Sequence, residues 1–198
     1  MKKIYFKKNK FTDGYTLIET MIALTIFLIV IVVGVGSLLN AYTINRQSQG
    51  MRSIIDSLSF TMEDMSRNIR TGYNYKCLES GQDYNQDMLN IPGNCIGGYG
   101  IAFEYSEGDP KINTDQWVYY IKEGKLFKST QGLSNPIQMT PDEVVLSAKA
   151  ISFSVIGSES SDKQQPLVII RLAGKITSGE NATPFSLETA VSQRVSDI

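Results

Sequence analysis

Histidine is absent from all 198 residues. That removes Ser-His-Asp and Cys-His catalysis and every zinc site that depends on imidazole. No other nucleophile–base arrangement stands out, so no enzymatic activity is expected. Two cysteines remain, Cys77 and Cys95. In an oxidising compartment a disulfide between them would close a short loop, worth about 3 kcal/mol; a pair of buried thiols is the alternative. Four acids, Asp83, Asp87, Asp109 and Asp115, fall in polar stretches and offer the oxygen donors calcium takes. Their spacing fits no EF-hand, so solvated loops are the simpler reading and no cofactor or metal is expected. Lys122, Lys125 and Lys128 interleave with Trp117, Tyr119, Tyr120 and Phe127. Such a basic, aromatic surface can hold single-stranded nucleic acid, but alternation between core and surface explains it more simply.

The most unusual single residue is Glu19. It lies five positions into YTLIETMIALTIFLIVIVVGVGSLL, the almost wholly apolar run from Tyr15 to Leu39. As a helix this run would extend about 37 Å, enough for a hydrocarbon layer of roughly 30 Å. A carboxylate in lipid costs a few kcal/mol and calls for a partner. If the chain were cut after Gly14, the new α-amine of Tyr15 would stand four positions before Glu19 on the same helix, at an end that favours negative charge. In a parallel assembly the amine of a neighbouring subunit could serve instead, and a plain position at the membrane edge is a third reading. Lys2, Lys3, Lys7, Lys8 and Lys10 precede the run, which places the N-terminus on the cytoplasmic side and the chain beyond Leu39 outside. The run is longer than a secretory signal core and lacks a small-x-small cleavage site.

A lysine-rich leader, Gly14, then Tyr-Thr-Leu-Ile-Glu and a long apolar helix closely resemble the N-terminus of type IV prepilins and type II secretion pseudopilins. The resemblance covers roughly residues 7–39. It implies a leader of residues 1–14, cleavage by a prepilin peptidase between Gly14 and Tyr15, N-methylation of Tyr15, and a role in assembly for Glu19. In such filaments the helix often loosens near the positions of Gly34 and Gly36; close packing of helices through small residues is the other account of that pair.

Beyond Leu39 the helical period continues but becomes amphipathic. Met51, Ile54, Ile55, Leu58, Met62, Met65 and Ile69 recur at steps of three and four, with polar residues between. Gly50 is a weak point where a bend is expected. Thr71-Gly72 ends the helix, with Arg67 and Arg70 in its last turn. Residues 73–98 show no period and read as a disulfide-tied loop. Strands follow at Tyr99–Tyr105, at Trp117–Ile121 and Lys125–Lys128 around a Gly-containing turn, then as one long strand Val144–Ile156, then Leu167–Ile176 and Phe185–Val195. Polar clusters at 157–166 and 178–184 separate them. A long helix followed by antiparallel strands is an α+β fold, here expected as one sheet laid on the helix.

The stretches SFTMEDMSRNIRTG, VYYIKEGKLFK, ISFSVIG, PLVIIRLAGKI and TAVSQRV resemble J-type minor pseudopilins and the related W-type minor pilins. The expected organisation is a leader at 1–14, a transmembrane helix at 15–39, an amphipathic helix at 40–72 and an exported β-rich domain at 73–198. The resemblance implies a single pass through a bacterial inner membrane, then a pilus or pseudopilus. Implied partners are the prepilin peptidase, other pilin or pseudopilin subunits, an inner-membrane assembly platform and membrane lipid. Without residues 1–14 the chain keeps 14 basic and 19 acidic side chains, a net charge of −5. That argues against general nucleic-acid binding, which phosphate neutralisation dominates. The other class of function open to such a chain is a signal-anchored binding domain that never assembles.

Overall fold

The computed structural model describes residues 14–109, 111–112, 114–147, 153–159, 164–178 and 181–194. The basic residues Lys2 to Lys10 lie outside them. The chain divides into two compact units, Met1–Gln47 and Ser48–Ile198, and one helix, α1 (Leu17–Thr71), contributes to both.

In the first unit every described side chain from Gly14 onward is exposed, and the segment is long and apolar enough to cross a membrane. The helix runs unbroken through Gly34 and Gly36, and also through Gly50, in place of the expected bend. Among the described residues, and apart from the helix's own backbone, nothing lies within 4 Å of a Cβ built at any of the three. Among the described residues their small size therefore serves no close contact.

In the second unit the apolar stripe of α1 finds its partners. Leu58, Met62, Met65 and Ile69 are buried, Met51 and Ile54 partly so. Ile55 is an exception at 41% exposed, because it falls beside the stripe rather than on it. The helix ends where Gly72 N–H donates to the Asn68 carbonyl. There the buried Tyr75 phenol donates to the carbonyls of Ile69 (2.7 Å) and Gly72 (2.6 Å), satisfying acceptors a helix end leaves open.

The fold is α+β, but the strands make two antiparallel sheets rather than one. The first sheet has the order β1-β3-β4-β5-β6, from β1 (Tyr73–Leu78), β3 (Gly100–Glu104), β4 (Trp117–Lys122), β5 (Lys125–Ser129) and β6 (Ile137–Gln138). The second has the order β10-β9-β8-β2, from β10 (Asn181–Ser192), β9 (Leu167–Ser178), β8 (Phe153–Ile156) and β2 (Cys95–Gly98), with β7 (Val144–Leu146) also paired to β9. Helix residues, the inner face of the first sheet (Tyr75, Phe103, Tyr119) and that of the second (Phe153, Ile170, Leu172) share one core.

Several expectations change for physical reasons. Residues 73–98 are not a plain loop: β1 and β2 bound them, and a short helix, α2 (Gln86–Leu89), lies between. Leu89 of α2 packs with Leu78, Ala102 and Val118 in a second, smaller core. That core is why β3 is buried at every position instead of alternating: Ile101 and Phe103 face the main core and Ala102 the smaller one. The long strand expected at Val144–Ile156 is two strands along the same edge of β9, β7 against Gly174–Ile176 and β8 against Leu167–Ile170; Ile151 lies outside the described residues. The stretch 178–184 is largely strand as well. Pro184 pairs opposite Lys175 on β10, an edge strand where a missing N–H is tolerated. The hairpin turn of β4 and β5 is as expected, with Glu123 and Gly124 both at positive φ (51° and 75°), the pattern of the tight turn whose twist suits a two-residue hairpin.

Candidate functional site

Three residues singled out in the sequence lie at the start of α1. Gly14 and Tyr15 precede the helix, and Tyr15 is 82% exposed. The Glu19 N–H donates to Thr16 Oγ1 (3.3 Å) and to the Thr16 carbonyl (3.1 Å). Thr16 is thus the N-cap, and Thr16-Leu17-Ile18-Glu19 has the spacing of a capping box. Sequence reasoning passed over Thr16, although the Thr-x-x-Glu spacing was there to be read. Glu19 is the acid of the first turn, where the helix dipole favours it. Among the described residues no side chain pairs with its carboxylate.

The hydroxyls of Thr20 and Thr25 in the apolar segment are satisfied within it. The hydroxyl of Thr20 donates to the Leu17 carbonyl (2.8 Å), and that of Thr25 to the carbonyls of Met21 (2.9 Å) and Ile22 (2.8 Å). In lipid such back-bonding removes the penalty of an unpaired hydroxyl. Glu19 therefore stands out as a charged group in an exposed apolar helix that lacks a partner among the described residues of its own chain.

In the second unit Cys77 of β1 and Cys95 of β2 form a disulfide, with Cα atoms 5.7 Å apart. It joins the two sheets. Gly98 packs so close to it that a Cβ there would lie 2.7 Å from the Cys77 sulfur and 2.5 Å from the Leu78 carbonyl oxygen.

The basic, aromatic hairpin is largely committed to the domain itself. Tyr119 is fully buried. Its hydroxyl accepts from Asn68 Nδ2 (2.9 Å) and donates to Asp64 Oδ2 (3.2 Å), and burial pushes its phenol up. Lys128 pairs with Asp64 at 3.1 Å and lies over the Trp117 ring at 4.5 Å. Lys125 donates to the carbonyls of Asp142 (2.7 Å) and Val144 (2.6 Å). Two of the three lysines thus hold helix and strands together.

The four loop acids do not gather. Asp83 is exposed and Asp87 sits exposed on α2. Asp109 and Asp115 share the connection between β3 and β4, where the Asp109 N–H donates to Asp115 Oδ2 (3.1 Å). Among the described residues no three acids converge as a ligand group. Beside Asp115 lies a residue sequence reasoning did not select. Glu104, at the end of β3, is completely buried, and among the described residues neither carboxylate oxygen has a hydrogen-bond partner. Burial first, and then the charge of Asp115, raise its pKa to about 7. Within an expected strand Glu104 read as the outward residue of an alternation, which concealed it.

No curated protein and no solved structure matches the chain. Residues 10–35 match the family model described as the prokaryotic N-terminal methylation motif, so the chain carries a prepilin-type N-terminus of the kind found in type IV pilin-like proteins.

Proposed function

We propose that this chain is a minor subunit of a type IV pilus or a type II secretion pseudopilus, with a structural rather than a catalytic role. The observation that carries the reading is the match of residues 10–35 to the N-terminal methylation motif, coincident with an exposed apolar helix that Thr16 caps and Glu19 charges. On this reading a prepilin peptidase cuts between Gly14 and Tyr15, and Tyr15 is then N-methylated. The lysines of the leader hold the N-terminus on the cytoplasmic side of the inner membrane, and the disulfide-bonded domain is exported. An inner-membrane assembly platform then moves the helix from lipid into a filament, where the exposed apolar face packs against the same segment of other subunits. Glu19 would meet a neighbour's N-terminal amine there, offsetting a charge that lipid penalises.

The test has two arms. Intact mass and N-terminal sequencing of the protein from cells with and without a prepilin peptidase should give a chain that starts at methylated Tyr15 only when the peptidase is present. Glu19→Ala should leave export and cleavage unchanged and strongly reduce incorporation into sheared filaments. An uncut Gly14–Tyr15 bond in both strains would instead support a signal-anchored binding domain that does not assemble. Normal incorporation of the Glu19 variant would remove the role given to that residue.

A further inference from the structure

Four of the five buried side-chain oxygen or nitrogen atoms without a hydrogen-bond partner among the described residues are gathered at one place: Glu104 Oε1 and Oε2, Asp115 Oδ1 and Gln116 Oε1. Glu104 and Gln116 are both fully buried. Gln116 is not an acid, and its amide is fixed from the nitrogen side, where Nε2 donates to the Ile112 carbonyl (3.1 Å). Buried oxygens of this kind are normally paired, and a cluster left open calls for an explanation. All four are acceptors when Glu104 is ionised; the donor beside them is the second hydrogen of Gln116 Nε2, which favours the charged form of Glu104 but leaves two carboxylates and an amide oxygen facing one another.

We propose that Glu104, Asp115 and Gln116 form a site for a hard divalent cation of the Ca2+ type, between the end of β3 and the start of β4. The donors are carboxylate and amide oxygens, which such a cation prefers, and it tolerates an irregular ligand set completed by carbonyls and water. The Gly108 backbone closes over the site; a Cβ there would lie 2.7 Å from Glu104 Oε1. Access comes from the side of Asp115, which is half-buried and lines a polar hollow of about 590 Å³ with Gln86, Thr114, Thr130, Gln131 and Ser134. Two carboxylates give a low ligand charge, which places the affinity in the range of roughly 10⁻⁴–10⁻³ M typical of extracellular modules. The inference stands apart from the filament reading and needs only the folded second unit.

Without a cation, burial and the charge of Asp115 favour the protonated form of Glu104 in the fold. The groups that act on it are Asp115, Gln116 and Asp109, and Tyr73 answers to the same acids. Its folded pKa of about 7 lies above the ordinary 4.5. The stability it contributes is therefore complete below pH 4.5 and is lost as the pH rises through 7. A bound cation favours the ionised form and restores stability at the alkaline end.

The experiment uses the full chain in detergent micelles. Trp117, the only tryptophan, follows Gln116 directly, so Tb3+ luminescence excited through it reports occupancy and Ca2+ alone competes it away. The expected results at pH 7.5 are Tb3+ luminescence that Ca2+ displaces and a melting midpoint several degrees higher in millimolar Ca2+. Glu104→Gln should keep the apo midpoint at or above the wild type and weaken Ca2+ binding about tenfold or more, through loss of ligand charge. Asp115→Asn repeats the test at a second carboxylate, and Asp87→Asn, at an exposed position of α2, should leave Ca2+ binding unchanged. A wild-type midpoint that responds to pH but not to Ca2+ would mean that a proton alone satisfies the cluster, and it would overturn the site. So would Ca2+ binding retained in both Glu104→Gln and Asp115→Asn.

Discussion

Leu28 and Leu58 belong to the same helix, share the same backbone conformation, and meet opposite surroundings. Leu28 is 52% exposed, as are its apolar neighbours, while Leu58 is fully buried among strand residues. Helix propensity cannot distinguish them, because both are leucines in α-helix. The difference is whether the chain supplies a covering surface. The second unit does, through two sheets tied by a disulfide. The first unit satisfies the hydroxyls of Thr20, Thr25 and Thr43 within its own helix and leaves its apolar face exposed to lipid or other helices. The lesson is that one continuous helix can serve two solvents, with the change marked by side chains rather than by any break at Gly50.

That contrast can be broken most directly with a matched pair. Leu58→Ala should lower the unfolding free energy of the second unit by about 3 kcal/mol, from lost burial and the cavity left behind. Trp117 fluorescence across a denaturant series would show the midpoint falling. Leu28→Ala should leave that midpoint where it is, because Leu28 is exposed within the first unit and its loss removes no buried contact there. Equal shifts in the two variants would mean that the two stretches of α1 do not face separate environments. A somewhat smaller effect is expected from Cys77→Ser with Cys95→Ser. Opening a loop of this length costs about 3 kcal/mol before any relief of the folded state, and the loss should again appear in the Trp117 transition while helical content in the first unit is retained. Because the disulfide joins β1 to β2, its loss should also free the two sheets to exchange amide hydrogens more independently.

The helix was almost fully legible from sequence. The apolar run, the steps of three and four from Met51 to Ile69, and the stop at Thr71-Gly72 each reflect a local rule. The hairpin of β4 and β5 was legible for the same reason, since Glu123-Gly124 specifies its own turn. What escaped was set by distant partners. β3 could not be seen as buried on both faces until α2 and Leu89 were known to cover its second side. The two-sheet arrangement depends on β2 crossing to pair with β8, a choice with no local signal in CIGG. Glu104 was missed because alternation assigns such a residue to solvent, whereas Gly108, Asp115 and Gln116 lie against it. At the N-terminus the reverse held: Gly14, Tyr15 and Glu19 were prominent, and Thr16 was overlooked although its spacing to Glu19 was local and readable.

The smallest expected effect sharpens the comparison at its most sensitive point, by separating the two residues of that first turn. Thr16→Ala removes the oxygen that receives the Glu19 N–H, and an N-cap of this type is worth about 1 kcal/mol. The helix is long and nucleated elsewhere, so the loss should appear only as fraying, read as faster amide exchange at Leu17–Thr20 in micelles, with the Trp117 transition unmoved. If Glu19 matters only as the acid of a capping box, Glu19→Ala should produce the same fraying and the same degree of filament incorporation as Thr16→Ala. If its carboxylate pairs with a neighbouring subunit, the two variants should fray alike yet differ in assembly, with Thr16→Ala incorporated near normally and Glu19→Ala largely excluded. A capping acid acts through its own helix, and a registering acid acts through the next one. Only the second role survives intact when the cap is removed.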